Sequence, residues 1–212
     1  AVIRYDQGIH LNWPSPYSRT GYSYYRGPST IKKSDKYDLN VEEIKNFFDS
    51  SKAYLNEPNP SPVSLPYKAM APVFTGNATI FLHADDAKQI KDGVRFLQDQ
   101  KIKNIVVVGG TNSLDAGDFL ADNNIKIALE QPHNLPSMED EDVKSRFRLA
   151  SQLINKGVTV AVDATGEMTR MNTRNLPFFA GSFAAYGVEK EKAVESITLN
   201  AAKVLGIEDN YG

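Results

Sequence analysis

The chain has 212 residues, 24 Lys+Arg against 26 Asp+Glu, a net charge of -2, 41% hydrophobic residues and no cysteine. Disulfides, thiolate nucleophiles and cysteine-type zinc or iron–sulfur sites are therefore excluded. No field of one sign is available to grip nucleic acid or an anionic membrane, and no apolar run approaches the roughly 20 residues that span a bilayer.

Residues 1–36 are rich in Tyr, Ser, Gly and Pro, as in Trp13-Pro14-Ser15-Pro16-Tyr17, and carry no sustained helical or strand period, which predicts an irregular arm. Its aromatic side chains, Trp13, Tyr17, Tyr22, Tyr24 and Tyr25, should pack against a neighbouring surface rather than stack on nucleic acid, because Lys and Arg do not interleave densely with them and the net charge is negative. Residues 40–55 predict a helix, with Asn40 as N-cap and Ile44, Phe47 and Phe48 as its apolar stripe. Residues 56–66 hold four prolines and form a loop. These features divide the chain into an arm over residues 1–70 and a regular domain over residues 71–212.

From residue 79 onward strands and helices alternate. Thr79-Ile80-Phe81-Leu82 is a strand, followed by an amphipathic helix over 85–100. Ile105-Val106-Val107-Val108 is a second strand, followed by Gly109-Gly110 and a helix over 113–123. Ile127-Ala128-Leu129 is a third, followed by a helix over 140–156 with Val143, Phe147, Ala150, Leu153 and Ile154 inward. Residues 158–162 form a fourth strand, and helices over 176–186 and 190–205 close the chain. The strand centres are about 25, 22 and 32 residues apart, the size of a right-handed βα unit, and the continuous apolar runs indicate strands buried on both faces. Periodicity alone fits both a barrel segment and a doubly wound sheet. The latter would bind a nucleotide at Gly109-Gly110, although the pair lacks the spacing of a dinucleotide fingerprint or a P-loop.

Several segments together resemble the amidohydrolase superfamily, in particular its imidazolonepropionase-like branch. They are Phe81-Leu82-His83-Ala84; residues 105–110 leading to Ser113-Leu114-Asp115-Ala116; residues 150–162; residues 174–188; and residues 193–207, AVESITLNAAKVLGI, the most specific match. The resemblance covers roughly residues 79–210. It implies an α/β fold that is part of a TIM-like (β/α)8 metal-dependent hydrolase barrel, its last four βα units. It also implies an active site at the C-terminal ends of the strands, hydrolysing C–N bonds in non-peptide, often cyclic, amides with one or two divalent metals. Family ligands are a His-x-His pair on the first strand, in some members a carboxylated Lys, a His on each of two later strands and an Asp after the last.

In this chain the resemblance assigns His83 to the first of the late-strand histidines, as metal ligand. The next expected histidine is replaced by Gly109-Gly110, and no His-x-His occurs. The terminal Asp is expected at Thr165; Asp163 stands two residues early, a displacement of nearly 7 Å along a strand, and is the catalytic candidate that remains. Two ligands fall short of the three that a catalytic zinc site normally has. A divalent, zinc-like metal is therefore expected in the full parent and none tightly bound here, and the chain alone is expected to be inactive. It begins at Ala1 without Met and stops at Gly212, where relatives enter a small β-sandwich, so a larger parent is expected.

Other candidates have plainer readings. His133 is a loop histidine, His10 has no constellation around it, and Asp85 and Asp86 cap a terminus. The run Glu139-Asp140-Glu141-Asp142 favours a helix start and lacks EF-hand spacing. The expected partners are a small-molecule substrate and the rest of the barrel in the parent, with neither nucleic acid nor membrane. The alternative reading is a degenerate, non-catalytic barrel domain serving as scaffold or binding module. Four βα units would leave two open edges and a wet inner face supplied by Ile80, Leu82, Val106, Val108, Ala128, Val160 and Val162, so the isolated chain is expected to form a homodimer or higher oligomer, with the arm as partial cover.

Overall fold

A computed structural model describes residues 5, 7–20, 30–134, 141–164 and 170–212. The elements, in chain order, are β1 (Gly8–Asn12), β2 (Tyr17–Thr20), β3 (Thr30–Lys33), α1 (Tyr37–Asn56), α2 (Leu65–Ala69), α3 (Ala71–Thr75), β4 (Thr79–Asp86), α4 (Ala87–Asp99), β5 (Ile105–Asn112), α5 (Gly117–Asp122), β6 (Lys126–Glu130), α6 (Ser145–Asn155), β7 (Val160–Asp163), α7 (Leu176–Ala185), α8 (Lys190–Glu195) and α9 (Leu199–Leu205).

The main sheet has the order β1-β4-β5-β6-β7, and every pairing in it is parallel. Strand order follows chain order without reversal, which excludes the doubly wound alternative. Strands of such a sheet alternate their side chains between faces. Ile80, Leu82, Val107, Ile127, Leu129 and Val160 face the helices and join one large core with Phe48 of α1, Ile90 of α4, Leu120 of α5, Leu153 of α6 and Phe183 of α7. Phe81, Val106, Val108, Ala128 and Ala161 occupy the other face, where Val204 and Ala201 of α9 pack on them. The result is a partial (β/α) barrel, helices outside and a second, smaller apolar cluster on the inner side. No described helix is long and apolar enough to cross a membrane.

Helix α4 shows how local sequence sets the geometry beneath the strand ends. Asp86 Oδ1 accepts from the Gln89 backbone N–H at 2.9 Å, and Gln89 Oε1 accepts from the Asp86 N–H at 3.3 Å, a capping box that satisfies two orphan amides. Gln89 Nε2 also donates to the Trp13 carbonyl at 3.0 Å, so one side chain ties the ends of β1 and β4 to the helix.

Several expectations are corrected. The segment read as irregular contains β1, a fifth strand in register Gly8↔Thr79 through Asn12↔His83, and an antiparallel pair of β2 with β3. Trp13 is buried in the helix-side core, not laid over the inner face, and Tyr17 is exposed; Tyr22, Tyr24 and Tyr25 lie outside the described residues. Helix α1 begins before Asn40, whose N–H already bonds to the Lys36 carbonyl. Helix α6 begins at Ser145, leaving Val143 in the preceding turn and 66% exposed; Glu139 and Asp140 lie outside the described residues. The last helix is two, α8 and α9, separated by a turn over 196–198.

The wet inner face is not found either. Ile80, Leu82 and Val160 face the helices at 0% exposure, while Val106, Val108 and Ala128 on the inner side retain 3%, 9% and 9%. Val204 and Ala201 of α9 pack on that inner face.

Candidate functional site

At the C-terminal ends of the strands lies a cavity of about 470 Å³. All five parallel strands contribute to it. Asn12 and Trp13 come from the end of β1, His83 and Asp85 from β4, Gly109 from β5, Glu130 from β6 and Asp163 from β7. The period of two explains the convergence. His83, Glu130 and Asp163 each stand two residues beyond an inner-face apolar residue, Phe81, Ala128 and Ala161, so each strand's inner column turns polar where it reaches the mouth. Glu130 and Asp163 are register partners on adjacent strands.

His83 is paired. His10 Nδ1 lies 2.7 Å from His83 Nε2, and the His10 ring stacks on Phe81 with centroids 5.1 Å apart. One nitrogen must donate and the other accept, so the pair carries no proton on its accepting side. Burial holds the His83 imidazole below its ordinary value, the neighbouring His10 adds to this, and Asp163 and Asp85 act in the opposite direction. Burial pushes the Glu130 carboxyl upward, against the pull of Arg146 and with reinforcement from Asp85 and Asp163. Arg146 Nη1 is 3.6 Å from Glu130 Oε2, and its Nε is 3.5 Å from Glu141 Oε1. The cavity is thus acidic, with a low-basicity histidine at one wall.

The glycines that stand where the resemblance expects a histidine have a spatial role. Gly109 adopts φ +101°, and a Cβ there would lie 2.7 Å from Asp85 Oδ1. The missing side chain makes room for the Asp85 carboxylate against β5.

The structure therefore brings His83 and Asp163 to one cavity. Sequence reasoning passed over His10, Asp85 and Glu130. Asp86, not Asp85, caps α4. His10 has a constellation after all, supplied by a strand pairing across 73 residues. His133 lies apart, exposed between Phe147 and Phe179, with its Nε2 2.7 Å from Ser182 Oγ. Ser182 donates its own proton to the Phe178 carbonyl at 2.9 Å, so the histidine donates to the hydroxyl and does not activate it as a nucleophile. Thr165 lies outside the described residues.

The donors that the resemblance would assign to a metal are His83 and Asp163, both at this cavity. Among the described residues no three His, Cys, Asp or Glu side chains are grouped so as to hold an ion, and His83 Nε2 already faces a histidine.

No family model matches the chain, and no curated protein matches it. A solved structure does: an amidohydrolase from Thermotoga maritima MSB8, 16% identical, with a TM-score of 0.76. The match covers 100% of this chain and 55% of that one, so the chain spans about half the length of the protein it resembles. With its parallel five-stranded sheet, ordered strands and outer helices, the chain has an amidohydrolase-like fold, that of a partial TIM-type barrel.

Proposed function

We propose that this chain is the later part of the barrel of an amidohydrolase-related protein, close to the imidazolonepropionase-like branch, that in its full form hydrolyses C–N bonds in small non-peptide, cyclic amides. The observation that carries this reading is the convergence of His83, Asp163, Glu130 and Asp85 in one cavity at the C-terminal ends of parallel strands, the end where barrels of this type place their chemistry. In this reading the substrate enters that cavity, Asp163 serves as the acid–base carboxylate, and any further metal donors come from elsewhere in the parent. The rest of the parent barrel closes the edges at β1 and β7. For the isolated chain, a second copy in that place is the corresponding proposal; sedimentation equilibrium giving a 23.5 kDa monomer removes it.

The test is steady-state hydrolysis of a panel of cyclic and linear amides by the full parent and its Asp163→Asn and His83→Ala variants. A loss of at least about 100-fold in kcat, the usual scale for removing an acid–base group, is expected for Asp163→Asn. Full activity in both variants defeats the reading. The second reading, a non-catalytic binding domain, is favoured by one observation: the 2.7 Å contact that commits His83 to His10. It predicts small-molecule binding at the cavity without turnover.

A further inference from the structure

The opposite end of the sheet holds a second cavity of about 460 Å³, between the starts of β4, β5 and β6 and the C-terminal end of α9. Lys103, Lys126 and Lys203 line it, facing a single carboxylate, Glu208. Among the described residues none of these four side chains makes an ion pair. Among the described residues Lys88 pairs with Asp92 at 2.6 Å and Lys156 with Asp118 at 2.7 Å, whereas the three lysines of this cavity have no carboxylate partner. The local excess of positive charge also stands against a net charge of -2 for the whole chain.

The rim is built to keep this arrangement. Gly76 adopts φ +80°, and a Cβ there would meet Lys103 Cδ at 3.2 Å, so the glycine leaves space for the lysine stem to lie across the turn. Asn104 Nδ2 donates to the Gly76 carbonyl at 2.8 Å, fixing that turn to the start of β5. Three lysines lining one concavity with one carboxylate leave a local excess of positive charge that an entering anion offsets. Lysine is a point-charge partner for phosphate oxygens.

We propose that this cavity binds a compact polyanion of the phosphate class, bridging Lys203 of α9 to Lys126 and Lys103 at the strand starts. The site is remote from the proposed catalytic cavity and does not depend on it. A ligand that binds only the folded chain stabilises it by mass action, here by clamping α9 to the sheet. Its other described ties are the Asn200 Nδ2 bond to the Val160 carbonyl at 3.0 Å and the apolar contact through Val204 and Ala201.

The test is titration of the chain with pyrophosphate at constant ionic strength, followed by amide NMR and thermal unfolding, with chloride as reference. Saturable shifts are expected at Thr79, Ile105, Lys126 and residues 203–206, together with a higher Tm and slower hydrogen exchange in α9. Lys126→Gln and Lys203→Gln should each weaken binding by roughly threefold or more, the scale of one partly exposed charged contact, while Lys190→Gln on α8 should leave it unchanged. Shifts that do not saturate, that fall elsewhere, or that persist equally in the Lys126→Gln/Lys203→Gln double variant overturn the proposal. The mapping on the unsubstituted chain decides it even where a variant folds poorly.

Discussion

Gly93 sits in the middle of α4, where the helix presses on β4, and Gly93→Ala sets two effects of opposite sign against each other. Replacing a helix-interior glycine by alanine gains about 0.8–1 kcal/mol of propensity. Here the added Cβ would lie 2.8 and 3.0 Å from the two methyl carbons of Leu82 and 3.2 Å from Trp13 Cδ2. Neither neighbour can give easily. Leu82 is fully buried, and Trp13 is held by its Nε1 donating to the Tyr37 hydroxyl at 3.2 Å and by its carbonyl accepting from Gln89 at 3.0 Å. Overpacking of this kind costs about 1–3 kcal/mol, so the net change is a loss of about 0–2 kcal/mol, or a Tm lower by about 2–4 °C per kcal/mol in a chain of this size. Urea unfolding followed by circular dichroism measures it. Leu82→Ala alone should cost about 2–5 kcal/mol. In that background Gly93→Ala should become stabilising, giving a coupling of at least about 1 kcal/mol between two contacting sites. A Gly93→Ala variant about 1 kcal/mol more stable than the parent chain, with no coupling to Leu82, would show that the close approach of α4 to β4 is not as described.

The Tyr37 hydroxyl donates to Asp92 Oδ2 at 2.6 Å while accepting from Trp13, so Tyr37→Phe strands the buried indole N–H and should cost about 1–3 kcal/mol by equilibrium unfolding. Burial, and then the Asp92 hydrogen bond, push the phenol from 10.0 up to about 12. A raised folded value favours the protonated form, so this contribution is complete below pH 10 and lost as pH rises toward 12; Tyr37→Phe should flatten that alkaline loss, and an unchanged pH profile counts against it. For the histidine pair, His10→Ala should raise the His83 midpoint, because it removes the second of the two causes that lower it. Since the folded value is depressed, neutral His83 contributes stability above pH 6.5 that is lost as pH falls through the folded value. Imidazole NMR titration reads this directly, and a His83 curve indifferent to His10→Ala means the pair is not formed in solution.

The strands that were legible in the sequence are those whose both faces are apolar. Ile105-Val106-Val107-Val108 could hardly be anything else, because Ile105 and Val107 meet the helices while Val106 and Val108 meet the inner cluster. The same property hid which residues face which side, since a run apolar on both faces carries no parity. In the other three of these strands parity is recorded in the first polar residue beyond the run. His83 follows Phe81 by two, Glu130 follows Ala128 and Asp163 follows Ala161, so each polar residue both ends an inner column and marks its face. Read that way, the inner cluster and the cavity wall follow from one rule, and Glu130 joins His83 and Asp163 without any structure. The edge strand β1 resisted even this. Gly8-Ile9-His10-Leu11-Asn12 alternates correctly, but over only five residues and within a stretch dominated by turn formers, where local composition outweighs so short a period. What makes it a strand is its pairing with β4, more than seventy residues away, a tertiary cause that five alternating residues record only faintly. Because His10 reaches His83 only through that pairing, the least legible strand is also the one that alters the chemistry of the most legible site residue.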